Sequence, residues 1–311
     1  MNHSAFNMDK LYESVANKGH VCVGLDTATE YVPPCFKKWD LAYDVEAIRE
    51  YNTNLVDETI GIAACYKVQI AYYEEGGPDG LRLFADTLRY IRMKGGLVIA
   101  DVKRGDIADT ASRYAKAYFG GRFDADFATL LPYMGMDSID PWAKVALDGG
   151  RSQGAFVVMH SSNPGREDFQ YFENSDGKKL YEKVGNKLVG MESNKMGANG
   201  YRMFGAVVGC TDSQNAIDIR TKYPELFFLV PGYGAQGGKA EDCAKLMDKN
   251  GNGGVVNSSR AILKAWEKQA KADCLPLEEI SKDYALAAAR QEVINMRDAI
   301  RAACIAARDQ K

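Results

Sequence analysis

The chain has 311 residues, of which 46% are hydrophobic and 26% charged, and this composition is typical of an ordinary folded protein rather than a disordered or fibrous one. Its 39 basic and 42 acidic residues give a net charge of −3, which argues against general attraction to nucleic acid or to an anionic membrane. Its seven cysteines include no C-x-x-C pair, which argues against a zinc ribbon or a disulfide framework and favours a reducing compartment.

Short apolar runs alternate along the chain with polar stretches of helical periodicity. Residues 1–14 lack the pattern of a signal peptide, and no apolar run reaches the ~20 residues needed to cross a bilayer, so a cytoplasmic protein is predicted. The helical stretches include 45–59, 80–93, 108–119, 213–222 and 240–249. Eight apolar runs predict strands at 21–25, 63–70, 97–102, 125–130, 155–159, 204–208, 226–230 and 253–256.

The order of these elements predicts the fold class. Strands that alternate with helices form parallel sheets, because parallel neighbours need long crossover connections. Eight repeats favour a closed (β/α)8 TIM barrel over an open doubly wound sheet. No linker divides the chain, so we expect one domain over 1–311, with an inserted segment at 165–200 between strands 5 and 6 and a helical extension within 276–311.

The strongest candidate for chemistry is the run DVKRGDIADT, which begins at Asp101 as the third strand ends. Asp101 and Lys103 are two residues apart, so on a strand their side chains share a face. In a barrel that face opens at the carboxyl ends of the strands, where active sites are built. Asp106 lies beyond the turn and is expected to begin the next helix. An ordinary ion pair and a helix cap would leave the same pattern.

Lys67 stands alone in an apolar run. A buried ammonium group needs a carboxylate partner, so in a barrel we expect Lys67 to pair with Asp101 on the neighbouring strand. At the edge of an open sheet its ammonium would reach water instead. Asp26 follows the first strand at the same end, in a position where an Asp is also a common turn residue.

Two segments near the end of the barrel pattern predict a phosphate site. The run PGYGAQGG, which contains Gln236, follows the seventh strand, and Arg260 follows the eighth. Backbone N–H groups of glycine-rich turns and a forked guanidinium suit an anion, and this is the usual phosphate position in such a barrel. The G-x-G-x-x-G match at 232–237 lacks the acidic residue of a dinucleotide fold.

Ser162 follows the fifth strand, where its hydroxyl suits a polar heterocycle or simply a turn. The three histidines form no H-E-x-x-H motif and no Cys/His pair, so no metal site is predicted.

Taken together, these motifs resemble those of the orotidine 5'-phosphate decarboxylase family. The run at Asp101 is similar to the family's signature, and VGLD, YKVQIAYYE, HSSNPG, VPGYGAQGG and NSSRAI resemble its other motifs in the same order. The length of segment 165–200 is similar to that of the longer microbial branch, whereas Ser161 stands where Thr is usual. The D-x-K-x-x-D core is shared with sugar-phosphate decarboxylases and aldolases of the same superfamily.

The resemblance implies decarboxylation of orotidine 5'-phosphate to UMP, the last step of pyrimidine nucleotide synthesis, with no metal or organic cofactor. It implies that the catalytic residues Lys67, Asp101, Lys103 and Asp106 form an alternating network of charges that is fixed before substrate arrives. In it Lys103 stabilises and protonates the carbanion, and Asp101 lies near the departing carboxylate. The remaining roles that it implies are ribose binding by Asp26 and Lys67, base recognition by Ser162 and Gln236, and phosphate binding by Gln236 and Arg260.

The resemblance also implies a homodimer with composite sites, in which Asp106, Ile107 and Thr110 reach into the partner's active site. Two alternatives stay open. One is a metal-dependent sugar-phosphate decarboxylase or aldolase, which would need a set of acidic ligands. The other is a noncatalytic nucleotide-phosphate sensor, which would have no need of the charges at Asp101, Lys103 and Asp106.

Overall fold

The computed structural model describes residues 6–150, 152–234 and 237–309. Eight parallel strands close into a barrel in chain order, with β8 bonded back to β1, so the predicted (β/α)8 fold is confirmed. Each strand overlaps its predicted run and differs from it by two residues at most at either end. The strands are β1 Val21–Gly24, β2 Cys65–Gln69, β3 Val98–Arg104, β4 Phe127–Leu130, β5 Gly154–His160, β6 Phe204–Val208, β7 Phe228–Val230 and β8 Gly254–Ser258.

Helices occupy the connections between the strands, and none in the described chain is long and apolar enough to span a membrane. The predicted helix over 240–249 is wrong at its end, because the helix stops at Ala244 and the chain then turns, with the carboxylate of Asp248 accepting N–H bonds from Asn250 and Asn252. The helices are α1 Asn7–Lys18, α2 Val45–Thr59, α3 Ala71–Glu74, α4 Gly77–Met93, α5 Ala108–Tyr118, α6 Asp140–Asp148, α7 Leu180–Val189, α8 Ser213–Lys222, α9 Ala240–Ala244, α10 Arg260–Leu263, α11 Ala265–Ala272 and α12 Lys282–Asp309.

The interior of the barrel is packed rather than open. Inward side chains of alternate residues, such as Ile99, Phe127 and Phe156, fill its lower half, and the rings of Phe127 and Phe156 lie 5.4 Å apart. Helix α1 seals the amino-terminal end, because its buried face, including Leu11, joins this cluster and Ser14 donates to the carbonyl of Ala64 below β2. Within the barrel, the described residues therefore leave the carboxyl ends of the strands as the place where side chains can gather around an open cavity.

The two additions to the barrel lie where the sequence predicts them. Segment 165–200, between β5 and β6, contains α7 and the isolated antiparallel bridge of Glu173 to Lys179, and a second such bridge joins its Met196 to Arg202 just beyond it. The terminal helix α12 buries a stripe of residues three or four apart, from Leu286 to Ile300, against α2, α9 and α11.

Candidate active site

Charged side chains gather at the carboxyl ends of β1, β2 and β3. In β2 and β3 the inward positions continue upward from Cys65 and Ile99, so Lys67 and Asp101 point into the barrel mouth. The register sets Gln69 opposite Asp101, one inward position above Lys67. The long Lys67 side chain therefore rises beside the carboxylate of Asp101.

Lys67 bridges two carboxylates. Its Nζ lies 2.9 Å from Oδ1 of Asp26 and 2.8 Å from Oδ2 of Asp101, and its side chain is only 6% exposed. The predicted pairing of Lys67 with Asp101 is therefore present, with Asp26 as a second partner. Removing either carboxylate would leave a buried charge short of a partner, which typically costs about 3–5 kcal/mol.

The carboxylate of Asp101 is fully occupied by hydrogen-bond donors. Its Oδ1 accepts from Lys103 Nζ at 2.6 Å and from the Thr129 hydroxyl at 2.8 Å, whereas its Oδ2 accepts from Lys67 and from Gln69 Nε2 at 2.9 Å. These four contacts use all four acceptor positions of the carboxylate. The side chain can rotate only by breaking several bonds at once, so its orientation is set before any ligand binds.

Electrostatics keep this cluster charged. Burial would raise the pKa of Asp101, but the ammonium groups of Lys67 and Lys103 outweigh it and hold that pKa well below its usual value. Burial would lower the pKa of Lys67, yet the carboxylates of Asp101 and Asp26 raise it above the ordinary value for lysine. Across neutral pH, Lys67 and Asp101 are therefore both ionised.

The backbone of Lys103 is strained. Its φ is 43°, in the left-handed region that a side chain with a Cβ rarely adopts, at a cost of roughly 1–2 kcal/mol. The register between β3 and β4 also shifts between Ala100 and Arg104, which marks a bulge. The Lys103 side chain is 46% exposed and its Nζ reaches Asp101, but it does not line the cavity that the described residues form beside the cluster.

A cavity of about 280 Å³ opens beside the cluster and is lined by residues from five strand ends. Arg260 lies at its far side with the loop after β7, in which Gly234 has a φ of 68° that favours glycine. Gln236 lies outside the described residues. The wall comprises Asp26, Tyr31, Lys67, Gln69, Tyr72, Asp101, Pro231, Gly232, Tyr233, Asn257, Ser258, Ser259, Arg260 and Ala261.

Two polar side chains of the β8 end complete this wall. Ser259 donates to Oδ2 of Asp26 at 2.8 Å and accepts from Asn257 Nδ2 at 3.3 Å. Their approach requires a glycine at position 24, because a Cβ there would stand 1.9 Å from the Ser259 oxygen. Asn257 Oδ1 is buried and has no hydrogen-bond partner among the described residues.

The inserted segment after β5 fixes the loop that carries Ser162. Gln170 accepts from the Ser161 N–H at 2.8 Å and donates to the Ser161 hydroxyl at 2.7 Å. The Ser162 carbonyl accepts from the Thr211 hydroxyl at 2.9 Å. Ser162 is half-buried and does not line the cavity formed by the described residues.

His160, at the end of β5, is fully buried beneath this segment. Its Nε2 lies 3.0 Å from the Tyr171 hydroxyl and 3.7 Å from Asp212, and its ring packs on Tyr181. Burial, followed by the positive charge of Arg166, lowers the pKa of His160 to about 4 against the opposing effect of Asp212. The ring is therefore neutral at physiological pH.

This shift predicts a loss of stability in acid. The folded pKa of His160 lies below the ordinary value of 6.5, so protonation favours the unfolded chain as pH falls from 6.5 toward 4. Between about pH 7 and pH 5, the wild type is expected to lose roughly 1–2 kcal/mol more unfolding free energy than His160→Gln. Denaturant titrations at both pH values measure this, and an equal loss in both proteins would contradict it.

Among the described residues, Asp106, Ile107 and Thr110 form no side-chain hydrogen bond or ion pair with the charged cluster. Asp106 Oδ1 accepts from the N–H of Ile107 at 2.8 Å, and within the described chain Asp106 forms no ion pair. Nor does Asp106 begin the helix, which starts at Ala108 with Ile107 as its N-cap. Ile107 and Thr110 are exposed. Large hydrophobic side chains are exposed on the same helix start and on the loop after β4, namely Ile107, Tyr114, Leu131, Tyr133 and Met134.

Sequence reasoning missed Gln69, Thr129 and Ser259 as site residues. Gln69 follows Lys67 by two positions, so strand alternation alone would have placed it in the mouth.

No group of three or more His, Cys, Asp or Glu side chains is arranged to hold a metal ion in the described ranges. The two carboxylates of the cluster, Asp26 and Asp101, share Lys67 as their cation.

Comparison with known proteins finds relatives of this chain in one family. The model of the orotidine 5'-phosphate decarboxylase / HUMPS family matches residues 19–274. The orotidine 5'-phosphate decarboxylase of Clostridium perfringens is 48% identical over 297 residues, covering 96% of this chain and 99% of that protein. That of Clostridium botulinum is 50% identical over 291 residues, covering 93% and 97%. The structure of Leishmania donovani OMP decarboxylase superposes with a TM-score of 0.73 at 28% identity, covering 97% and 100%.

Proposed function

Because this chain belongs to the orotidine 5'-phosphate decarboxylase family, we propose that its Asp26, Lys67, Asp101 and Lys103 form the site that converts orotidine 5'-phosphate to UMP and carbon dioxide. The reaction is that of a carboxy-lyase of pyrimidine nucleotide synthesis. The observation that carries the proposal is the saturated Asp101, which holds two lysines in place before substrate arrives. Charge fixed in advance costs no reorganisation during the reaction.

The chemistry needs such charge at one ring atom. When the bond from carbon 6 to the carboxylate breaks, its electron pair stays in the plane of the pyrimidine, where the ring cannot delocalise it. The Lys103 ammonium stabilises this carbanion and gives it a proton, after which the neutral amine regains a proton from water. Asp101, next to Lys103, faces the departing carboxylate, and repulsion between the two negative groups is relieved as carbon dioxide leaves.

The rest of the cavity suits a ribose phosphate. Asp26 and Lys67 offer an acceptor and a donor for the ribose hydroxyls, and Arg260 with the glycine-rich loop that holds Gln236 binds the phosphate. Ser162 and Gln236 recognise the base. Binding energy from the distant phosphate is then available to assemble the site around the reacting ring.

A homodimer completes the site in this proposal. The Lys103 ammonium has one carboxylate partner, Asp101, among the described residues of its own chain, and its side chain is half exposed. Asp106, Ile107 and Thr110 of a second copy supply the missing wall, with Asp106 as the second carboxylate. The exposed side chains of Ile107, Tyr114, Leu131, Tyr133 and Met134 support this, because large apolar groups on one helix and the neighbouring loop favour burial against a partner.

Arg260→Ala is expected to lower kcat/KM for orotidine 5'-phosphate roughly 10- to 100-fold, through both a higher KM and a lower kcat, because a charged hydrogen bond to phosphate is lost. The slow turnover of orotidine, which has no phosphate, is expected to stay unchanged. Steady-state kinetics on both substrates measure the difference. Arg89→Ala, which removes an exposed arginine on α4, is the matched control. An equal effect on both substrates would place Arg260 outside the phosphate site.

The proposed activity is tested by the fall in absorbance when the purified protein is incubated with orotidine 5'-phosphate and EDTA. Turnover to UMP that persists with EDTA is expected. Activity that is lost with EDTA and restored by a divalent metal would favour the sugar-phosphate type of chemistry. Binding of UMP without any turnover would favour the nucleotide-phosphate sensor.

A further inference from the structure

We infer that Thr129 is a positioning residue for this reaction, acting on both Asp101 and Lys103. The inference rests on the proposed function. Thr129 lies on β4, two residues after the inward Phe127, and is 1% exposed. It therefore projects into the barrel directly beside the β3 end, at the level of the charged cluster.

The hydroxyl of Thr129 uses its whole hydrogen-bonding capacity on β3. It donates to Oδ1 of Asp101 at 2.8 Å and accepts from the N–H groups of Val102 and Lys103 at 2.9 and 3.0 Å. A hydroxyl has one proton and two acceptor lone pairs, so all three positions are occupied by one segment of three residues.

These bonds replace the ordinary ladder between β3 and β4. The regular pairing of Ala100 with Ala128 stops there and resumes at Arg104 with Leu130. The two N–H groups in that gap bind the Thr129 side chain, and at the same place Lys103 takes its left-handed φ of 43°. The hydroxyl thus holds the bulge from which the Lys103 side chain extends.

The same hydroxyl aims the carboxylate that Lys103 contacts. Oδ1 of Asp101 accepts both from Thr129 and from Lys103 Nζ, at 2.8 and 2.6 Å. A single side chain therefore controls the backbone under Lys103 and the direction of its ion pair. Because small misplacements of a reacting group are costly, losing this control slows the chemical step more than it weakens substrate binding.

The test compares Thr129→Val, which keeps the shape but lacks the hydroxyl, with Thr129→Ser, which keeps the hydroxyl. We expect Thr129→Val to lower kcat about 10- to 100-fold, with KM for orotidine 5'-phosphate changed by less than about threefold, and Thr129→Ser to retain most of the activity. Thr59→Val is the matched control, since Thr59 is also fully buried and its hydroxyl bonds to Leu55 and Tyr66, away from the site.

Several results would overturn the inference: a kcat of Thr129→Val equal to that of Thr59→Val, an effect confined to KM, or a Thr129→Ser variant as slow as Thr129→Val. If Thr129→Val does not fold, Thr129→Cys takes its place, because a thiol keeps the size with weaker hydrogen bonds and is expected to lower kcat at constant KM. The wild type is assayed in parallel. If it fails to turn over orotidine 5'-phosphate, that result refutes the proposed function rather than the inference about Thr129.

Discussion

Lys103→Ala is expected to lower kcat for orotidine 5'-phosphate roughly 10⁴-fold or more while the protein stays folded. Lys103 acts on charge that develops only in the transition state, so its loss removes stabilisation and the proton donor together. The fold tolerates the change because the side chain is half exposed and Asp101 keeps Lys67, Gln69 and Thr129 as donors.

The backbone also accepts an alanine at this position, since Ala108 adopts a similar φ of 48°. Lys94→Ala is the matched control, because it removes another half-exposed lysine paired with an aspartate, Asp57, outside the site. Steady-state kinetics measure the effect, and binding of UMP checks that the variant is folded. A kcat for Lys103→Ala within a few fold of the Lys94→Ala value would show that Lys103 is not the proton donor.

Mixing two inactive variants, Lys103→Ala and Asp106→Ala, is expected to restore activity to about 25% of the wild type when subunits exchange. With equal mixing, half of the dimers carry one chain of each kind. In such a dimer one site receives Lys103 from one chain and Asp106 from the other, whereas the second site lacks both. Each parent variant alone has activity near zero, because each lacks an essential charge, so the increase in activity on mixing is large.

The control mixture pairs Lys103→Ala with Asp101→Asn. These two residues contact each other within one chain, at 2.6 Å, so no mixed dimer can assemble a complete site and no recovery is expected. Native mass spectrometry of differently tagged chains confirms exchange. Recovery no greater than that of the control mixture would show that Asp106 serves its own subunit.

The barrel was predictable because its signal is repeated. Eight buried strands must each carry an apolar run, and parallel neighbours need a crossover, so the order of elements determines the topology. Element ends were less accurate where side chains compete with the backbone. The helix predicted over 240–249 stops at Ala244, and the carboxylate of Asp248 binds two N–H groups in the turn that follows, which the helical periodicity of the stretch does not predict.

The centre of the site was also predictable, from charge in apolar surroundings. Lys67 within a buried strand demands a carboxylate, and Asp101 on the next strand was the nearest at the same end. Thr129 carried no such signal. Its contacts depend on the bulge between Ala100 and Arg104, and the charged residues of that stretch indicate the end of a strand rather than a bulge.

The way in which the inserted segment fixes the Ser161 loop could not be predicted either. Gln170 binds Ser161 from a loop whose path no sequence periodicity defines. The positions of Asp106, Ile107 and Thr110 relative to a partner require a second copy of the chain. Those residues therefore remain predictions about an assembly.

Nuclear magnetic resonance of the UMP formed in heavy water, with EDTA present, tests whether carbon 6 of the pyrimidine is the atom that loses the carboxylate and gains a proton. We expect the wild type to produce UMP that carries deuterium at carbon 6, at the same rate with and without EDTA, because the exchanged ammonium of Lys103 supplies the deuteron and the charges around Asp101 need no metal. Folded wild-type protein that forms no UMP, or that stops forming it when EDTA is added, would contradict this mechanism.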